Sequence, residues 1–277
     1  MNKKVVTIQD ISCFGQCSIT VALPILSALG QETAIIPSAI LSTHTSGFKD
    51  YTVFDLSNEI PRILNHWKKE GIKFDALYSG YLGKEEHVDL VLQMKSELLN
   101  KDGIYFLDPV MGDNGKLYPA FNQRYVDKTK MLVKAADIIV PNLTEACLLS
   151  GVEYQDKYDK EYIMKIINGL VKIDAKTIIL TGISYRKGMT GVVLYKDGNY
   201  QYYEHEYIDK SFHGTGDIFA STILGLYLAD GDLMNAIKGA AEMVVACIKE
   251  TMNDDSHWYG VKFETILHNL ITKGCDK

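Results

Sequence analysis

Ser211-Phe212-His213-Gly214-Thr215-Gly216-Asp217-Ile218-Phe219-Ala220-Ser221 sets two glycines around a threonine, an acid directly after them, and an apolar run that continues to Leu228. That pattern predicts a tight turn opening a buried helix, whose first N–H groups have no partner within the helix. Such an end is an anion site. Glycine lets the backbone bend inward without a clashing side chain, and the helix dipole adds about half a positive charge there. Asp217 admits two readings. A carboxylate in the first turn complements the dipole, but beside a phosphate it is repulsive unless it has a task. The task that fits is general base, taking the proton from a hydroxyl about to attack phosphorus.

Upstream of this turn the chain alternates short apolar runs with helical stripes. Strands are predicted at residues 5–11, 33–41, 74–82, 104–110, 137–141 and 177–181. Helices follow most of them: one closing at Leu29 before Gly30, one capped by Ser57 with Pro61 in its first turn, and one with its face at Val88, Val91, Leu92, Leu98 and Leu99. Another starts at Asn142-Leu143-Thr144-Glu145, and Ile163, Ile166, Ile167, Leu170 and Val171 form a further stripe. Asp197-Gly198 marks a hairpin between runs at 191–195 and 200–207. Two more helices are expected, over 233–248 and 261–271. Alternation of this kind predicts an α/β fold with a mostly parallel central sheet, helices on both faces and a β-hairpin in the C-terminal half. No linker or repeat interrupts it, so residues 1–277 read as one domain.

In such sheets ligands bind beyond the carboxyl ends of the strands. The polar and glycine-rich clusters fall there: residues 10–15, 42–47, 79–83, 108–115, 142–145, 181–184 and the anion turn itself. That coincidence favours the base over the cap at Asp217. Asp108, Asp113 and Glu145 are hard oxygen ligands of the kind Mg²⁺ takes, usually through water and nucleotide phosphates. Singly, Asp108 also suits a turn before Pro109, and Glu145 a helix first turn; together the three favour metal and phosphate handling. Asp113-Asn114-Gly115 reads as a flexible turn, or as a lid over a nucleotide. His44 is expected to hydrogen-bond within its hydroxyl-rich loop. Phe14 and Tyr81 belong either to the core or to the walls around a flat ring, and Tyr200, Tyr202, Tyr203 and Tyr207 to strand packing.

A formal charge of −6 over 277 residues disfavours nucleic acid and anionic membranes as partners. The opening Met1-Asn2-Lys3-Lys4 leads straight into a strand, too short and polar for a signal peptide, and no stretch approaches the ~20 apolar residues of a membrane span. Cysteines at 13, 17, 147, 247 and 275 lack zinc spacing and read as reduced thiols, with Cys13 and Cys17 as small buried residues, in a cytoplasmic protein.

With these clusters in place the chain resembles the ribokinase superfamily, and within it the pyridoxal kinase branch. Gly214-Thr215-Gly216-Asp217 carries the superfamily likeness. Ile8-Gln9, Ser42-Thr43-His44-Thr45, Ser79-Gly80-Tyr81-Leu82-Gly83, Asp108-Pro109-Val110-Met111-Gly112-Asp113 and Pro141-Asn142-Leu143-Thr144-Glu145 carry the branch. The resemblance implies ATP-dependent phosphorylation of the 5′-hydroxymethyl group of pyridoxal, pyridoxamine or pyridoxine, in salvage of pyridoxal 5′-phosphate, by a homodimer using Mg²⁺ and, in some members, a monovalent cation. It implies Asp217 as the base and the amides of Gly214, Thr215 and Gly216 as the anion hole. Asp10, His44, Thr45, Ser46 and Tyr81 would lie around the pyridine ring. Asp108, Asp113, Tyr118, Asn142, Glu145, Thr181, Gly182, Ser184 and His213 would serve the nucleotide, with Asp113 and Glu145 toward the metal.

Two positions depart from the branch. Asp10 stands where serine is usual, and Gln16 where histidine is frequent. A carboxylate at position 10 would pair with a protonated ring nitrogen or with the amine of pyridoxamine, or discourage the usual ring contact. Hydroxymethylpyrimidine kinase of thiamine synthesis is the neighbouring enzyme; its Gly-Gly-Ala-Gly-Ile run and its cysteine at the base position are absent here. A vitamin-binding homologue without chemistry is the third reading, disfavoured by the intact Gly-Thr-Gly-Asp.

Overall fold

Strand β1 (Lys4–Ser12) is buried without a break from Val5 to Asp10, as a strand covered on both faces must be. The structure, a computed structural model, describes residues 2–270. From β1 the chain enters α1 (Ile19–Ala28), returns through β2 (Glu32–Leu41) and β3 (Val53–Asp55), and passes along α2 (Ile60–Lys69) to β4 (Phe74–Ser79). Then come α3 (Glu86–Leu98), β5 (Leu99–Leu107), the short strands β6 (Gly112–Asp113) and β7 (Lys116–Leu117), α4 (Gln123–Ala135) and β8 (Ile138–Ile139). Helices α5 (Leu143–Ser150) and α6 (Lys160–Lys172) precede β9 (Thr177–Ile183), β10 (Met189–Lys196) and β11 (Asn199–Glu206), and α7 (Thr215–Asp230) and α8 (Leu233–Thr251) follow.

The fold is the expected α/β one, with mixed and mostly parallel strands flanked by helices. The described residues fall into two compact units, one running up to Ala76 and resuming at Ile208, the other spanning Leu77–Tyr207. In the first, β1 pairs in parallel with β2, and β3 adds antiparallel to β2. The β1–β2 register slips between Gln9 and Ile11, whose partners are Pro37 and Ile40, so the ladder is irregular at Asp10. Val21 and Ile25 of α1, with Leu29 just past its end, pack with Ile218 of α7, Met243 and Cys247 of α8, and Phe263. In the second unit the strand order is β11-β10-β9-β8-β5-β4, parallel across β5, β8 and β9 and antiparallel from β9 to β11.

Several local expectations change. Ser57 caps no helix: its N–H and Oγ both bind Asp55 Oδ1, and α2 begins two residues past Leu56–Asn58 with Pro61 in its first turn. The strand expected over 74–82 ends at Ser79. Helix α4, to which the sequence reading assigns no element, buries Tyr125, Val126, Thr129, Leu132 and Val133 at helical spacing, with Thr129 Oγ1 donating to Tyr125 O at 2.8 Å. The helix expected over 261–271 is absent from 261–263, passes through turns, and is helical only at 268–270; Ile271 lies outside the described residues. Cys13 is exposed rather than buried, and Cys275 lies outside the described residues. Asp113-Asn114-Gly115 makes the expected turn, closing the β6–β7 hairpin with φ of 50° at Asn114 and 74° at Gly115. Asp197 and Gly198 turn the β10–β11 hairpin as expected, with φ of 51° and 80°.

Candidate active site

Gly214 caps α7 in the left-handed conformation, φ 83° and ψ −7°. A side chain there would meet the carbonyl oxygen of Gln16 at 2.4 Å, so only glycine allows this approach. The first intrahelical bond runs from Ile218 N–H to Gly214 O at 3.0 Å, which leaves the amides of residues 215–217 without a carbonyl partner inside the helix. Thr215 Oγ1 donates back to Phe212 O at 3.2 Å and braces the turn. A Cβ at Gly216 would meet open space.

Asp217 sits in this first turn. Its pKa is pushed up to about 6, chiefly by burial, with a hydrogen bond from the Ser18 backbone holding it down and nearby Asp10 adding to the rise. A carboxylate at a solvated helix end keeps an ordinary pKa, so the shift marks an acid drawn out of water. Ser18 holds φ 55° and ψ −126°, a conformation rare outside glycine, immediately before α1. Its side chain also bonds to the Asp10 carboxylate, as does Ser12 Oγ at 3.2 Å. Asp10 is buried at 5% exposure, and burial raises its pKa. Ser18 therefore ties the acid of β1 to the acid of α7. Neither Ser12 nor Ser18 carries a motif; only the structure exposes them.

His44 is buried, and its ring is fixed at both nitrogens. Ser46 N–H donates to Nδ1 at 3.1 Å, so the proton lies on Nε2 and is donated to Tyr259 O at 2.7 Å. Gly15, at φ 79°, lies flat on this imidazole, where a Cβ would approach His44 Cδ2 to 2.3 Å. Thr45 is exposed and Ser46 half-buried. His213, which the resemblance assigns to the nucleotide, lies with its ring 5.1 Å from that of His44.

In the second unit, Asn142 and Glu145 form a capping box at α5: Asn142 Oδ1 accepts from Glu145 N–H at 2.9 Å, and Glu145 Oε2 accepts from Asn142 N–H at 2.9 Å. Glu145 Oε1 accepts from Met111 N–H at 3.1 Å, and Asn142 Nδ2 donates to Gly112 O at 2.9 Å. Gly115 N–H donates to Thr144 Oγ1 at 2.9 Å. The β6–β7 hairpin is thus stitched to the positive end of a helix. Burial pushes the Glu145 carboxyl up to about 8 against backbone bonds from Asn142, Met111 and Gly112, with Asp113 adding repulsion.

A cavity of about 220 Å³ beside this helix end is lined by Asp113, Asn142, Thr181 and Gly182, bringing together four of the residues expected along a nucleotide. Tyr154, Asp156 and Tyr158 line it as well, and no sequence motif announces them. Ser184 N–H donates to Tyr158 OH at 3.0 Å, while Ser184 Oγ is bound to Met189 O at 2.7 Å within its own loop. Asp108 is buried, Tyr118 is exposed, and Tyr81 packs on Phe121 with centroids 5.4 Å apart.

Among the described residues no three His, Cys, Asp or Glu side chains cluster tightly enough to hold a metal by themselves. Asp113 and Glu145 are close enough to repel, beside a helix N-terminus, and the Glu145 carboxylate keeps a lone pair beyond its three backbone bonds. That donor set fits Mg²⁺ whose shell is completed by phosphate oxygens and water rather than by protein alone. No described helix is long and apolar enough to cross a membrane.

The α/β scaffold that carries this turn is the ribokinase-like one of a phosphotransferase. A family profile described as phosphomethylpyrimidine kinase matches residues 7–261, and the chain belongs to that family. A Bacteroides thetaiotaomicron protein described as a phosphomethylpyrimidine kinase, solved with pyridoxal, is 32% identical, with TM-score 0.91 over 98% of this chain and 96% of that one. Pyridoxal kinase from Lactobacillus plantarum is 30% identical, with TM-score 0.89 over 98% and 97%. A pyridoxal kinase of Granulibacter bethesdensis is 25% identical over 260 residues, 89% of each chain.

Proposed function

We propose that this protein is an ATP-dependent pyridoxal kinase, transferring the γ-phosphoryl group of ATP to the 5′-hydroxymethyl group of pyridoxal, pyridoxamine or pyridoxine in salvage of pyridoxal 5′-phosphate. The observation that carries the reading is Asp217: a carboxyl with a pKa near 6 in the first turn of a helix whose amides are free for an anion. Asp217 accepts the proton of the attacking hydroxyl, and the amides of Gly214, Thr215 and Gly216 steady the charge that develops on the transferred group. Asp10 and His44 orient the ring. Asp113, Asn142, Thr181 and Gly182 hold the nucleotide, with Asp108, Tyr118, Ser184 and His213 as further contacts carried over from the resemblance. Asp113 and Glu145 would hold Mg²⁺, which would supply neutralisation of the phosphate charge.

The measurement that tests this is phosphoryl transfer from ATP and Mg²⁺ to a panel of pyridoxal, pyridoxamine, pyridoxine and hydroxymethylpyrimidine. Transfer to a pyridoxal-type vitamer is expected; transfer to the pyrimidine alone, or to none, overturns the reading. The same assignment makes the protein a cytoplasmic homodimer, and light scattering giving a monomer would remove the dimer.

Asp10 sets the vitamer. A buried acid in place of serine favours the amine of pyridoxamine, so wild type is expected to prefer pyridoxamine and Asp10→Ser to lose that preference; equal turnover of all three by both proteins would refute it. Glu145→Gln should raise the Mg²⁺ concentration needed for half-maximal rate, because the Glu145 carboxyl can give up its proton to become an anionic ligand and an amide cannot. An unchanged magnesium curve removes Glu145 from that role.

A further inference from the structure

Three stretches far apart in sequence bring aromatic rings together in the first unit. Phe14 lies 4.7 Å from Tyr259 and 6.0 Å from Phe48, and Phe48 lies 4.7 Å from Trp258 and 5.0 Å from His44, centroid to centroid. The segment holding Trp258 and Tyr259 is fastened to this place by the bond from His44 Nε2 to Tyr259 O. It is also fastened by the approach of Trp258 to Gly47, where a Cβ would stand 3.0 Å from the indole. Ordinary anchoring of a C-terminal segment buries its largest rings, as Phe263 is buried at 1% exposure a few residues on. Phe14 and Trp258 instead each remain 50% exposed. Beside Phe48 is the buried His44 and, within electrostatic reach of it, the buried Asp10. Half-open rings next to a small number of fixed polar groups are what a flat, polar heteroaromatic ligand requires.

We infer that Trp258 and Tyr259, together with Phe14 and Phe48, form the wall that receives the pyridine ring of the acceptor, so that the segment after α8 sets specificity for flat heteroaromatic alcohols. This rests on the kinase reading for the identity of the ring, and no motif or resemblance points to the 257–260 segment. Stacking holds the ring's faces while Asp10 and His44 address its polar edge. Trp258 acts on binding of the acceptor and has no part in handling the nucleotide.

The chain has two tryptophans, and the other, Trp67, packs on Phe74 with centroids 5.4 Å apart. Trp67→Phe therefore leaves Trp258 as the sole reporter. Pyridoxine added without nucleotide is expected to change the fluorescence of this variant saturably, and ribose to leave it unchanged. In steady-state kinetics Trp258→Ala should raise KM for pyridoxine about 3- to 10-fold, the worth of one aromatic contact, with kcat and KM for ATP within about twofold, and Trp258→Phe should recover most of the loss. A merely structural role would lower kcat and disturb KM for ATP as well. If wild type phosphorylates pyridoxine while the Trp258 signal stays flat and Trp258→Ala kinetics are unchanged, the inference is wrong and the kinase reading stands. If no vitamer is phosphorylated yet pyridoxine shifts the Trp258 signal, the ring site stands and the kinase reading fails.

Discussion

Asp217→Asn is expected to lower kcat by about 10²- to 10⁴-fold with KM for both substrates largely kept, because asparagine preserves the shape and removes only the proton acceptor. The wild-type rate should itself fall as pH drops through about 6, where the Asp217 carboxyl takes up its proton, and this limb should vanish in the variant. Stability should move the other way. The folded pKa of Asp217 lies above the ordinary 3.8, so the group favours folding below the unfolded pKa and loses that contribution as pH rises through about 6. At pH 7 to 8 the buried charge is a cost that asparagine removes. The variant should therefore melt higher than wild type at neutral pH, with the gap closing toward pH 4. A carboxylate that served only to complement the helix dipole would give the reverse, a variant less stable by about 0.3–1 kcal/mol and fully active. Native turnover in Asp217→Asn would end the assignment of the base.

How far these features can be read from sequence depends on whether they are local. Repeating stripes such as Ile163, Ile166, Ile167 and Leu170 give α6 directly, because one helix face and the apolar pattern are the same fact. Asp197-Gly198 gives its hairpin because few other residues accept that turn. Helix α4 escapes notice because its buried face includes Thr129, whose hydroxyl is satisfied only within the helix, amid a lysine-rich surface. Ser18 is invisible for another reason: nothing in its identity announces a positive φ, and its value lies in reaching Asp10 and Asp217, which are distant in the chain. Glu145 was legible as an acid at a helix start, but its raised pKa comes from burial that sequence does not state. Of the proposed aromatic wall only Phe14 stood where a flat ring was expected, because Phe48 and Trp258 share no local pattern with it.

Gly214→Ala should be the most damaging change that leaves every charged group in place. Gly214 combines two demands: a φ of 83°, and a Cβ position 2.4 Å from the Gln16 carbonyl oxygen. The first alone costs about 1 kcal/mol. The second cannot be relieved by a side-chain rotation, because the obstacle is backbone, so either α7 or the 16–18 segment must shift. That segment carries Ser18, which holds Asp217 through its backbone and Asp10 through its side chain, so displacement disturbs the anion turn and the base together. A loss of about 10²–10³ in kcat/KM is expected, comparable to deleting an oxyanion donor. Two glycines of the same helix separate strain from function. Gly231, at its other end, also has a left-handed φ of 78° but nothing within 4 Å, so Gly231→Ala should lose stability and keep activity. Gly216 has open space where its Cβ would go, so Gly216→Ala should fold normally yet raise KM for ATP, because the open space is the place of the incoming phosphate. If Gly214→Ala behaves like Gly231→Ala, losing stability alone, the turn is a helix cap and the phosphate lies elsewhere.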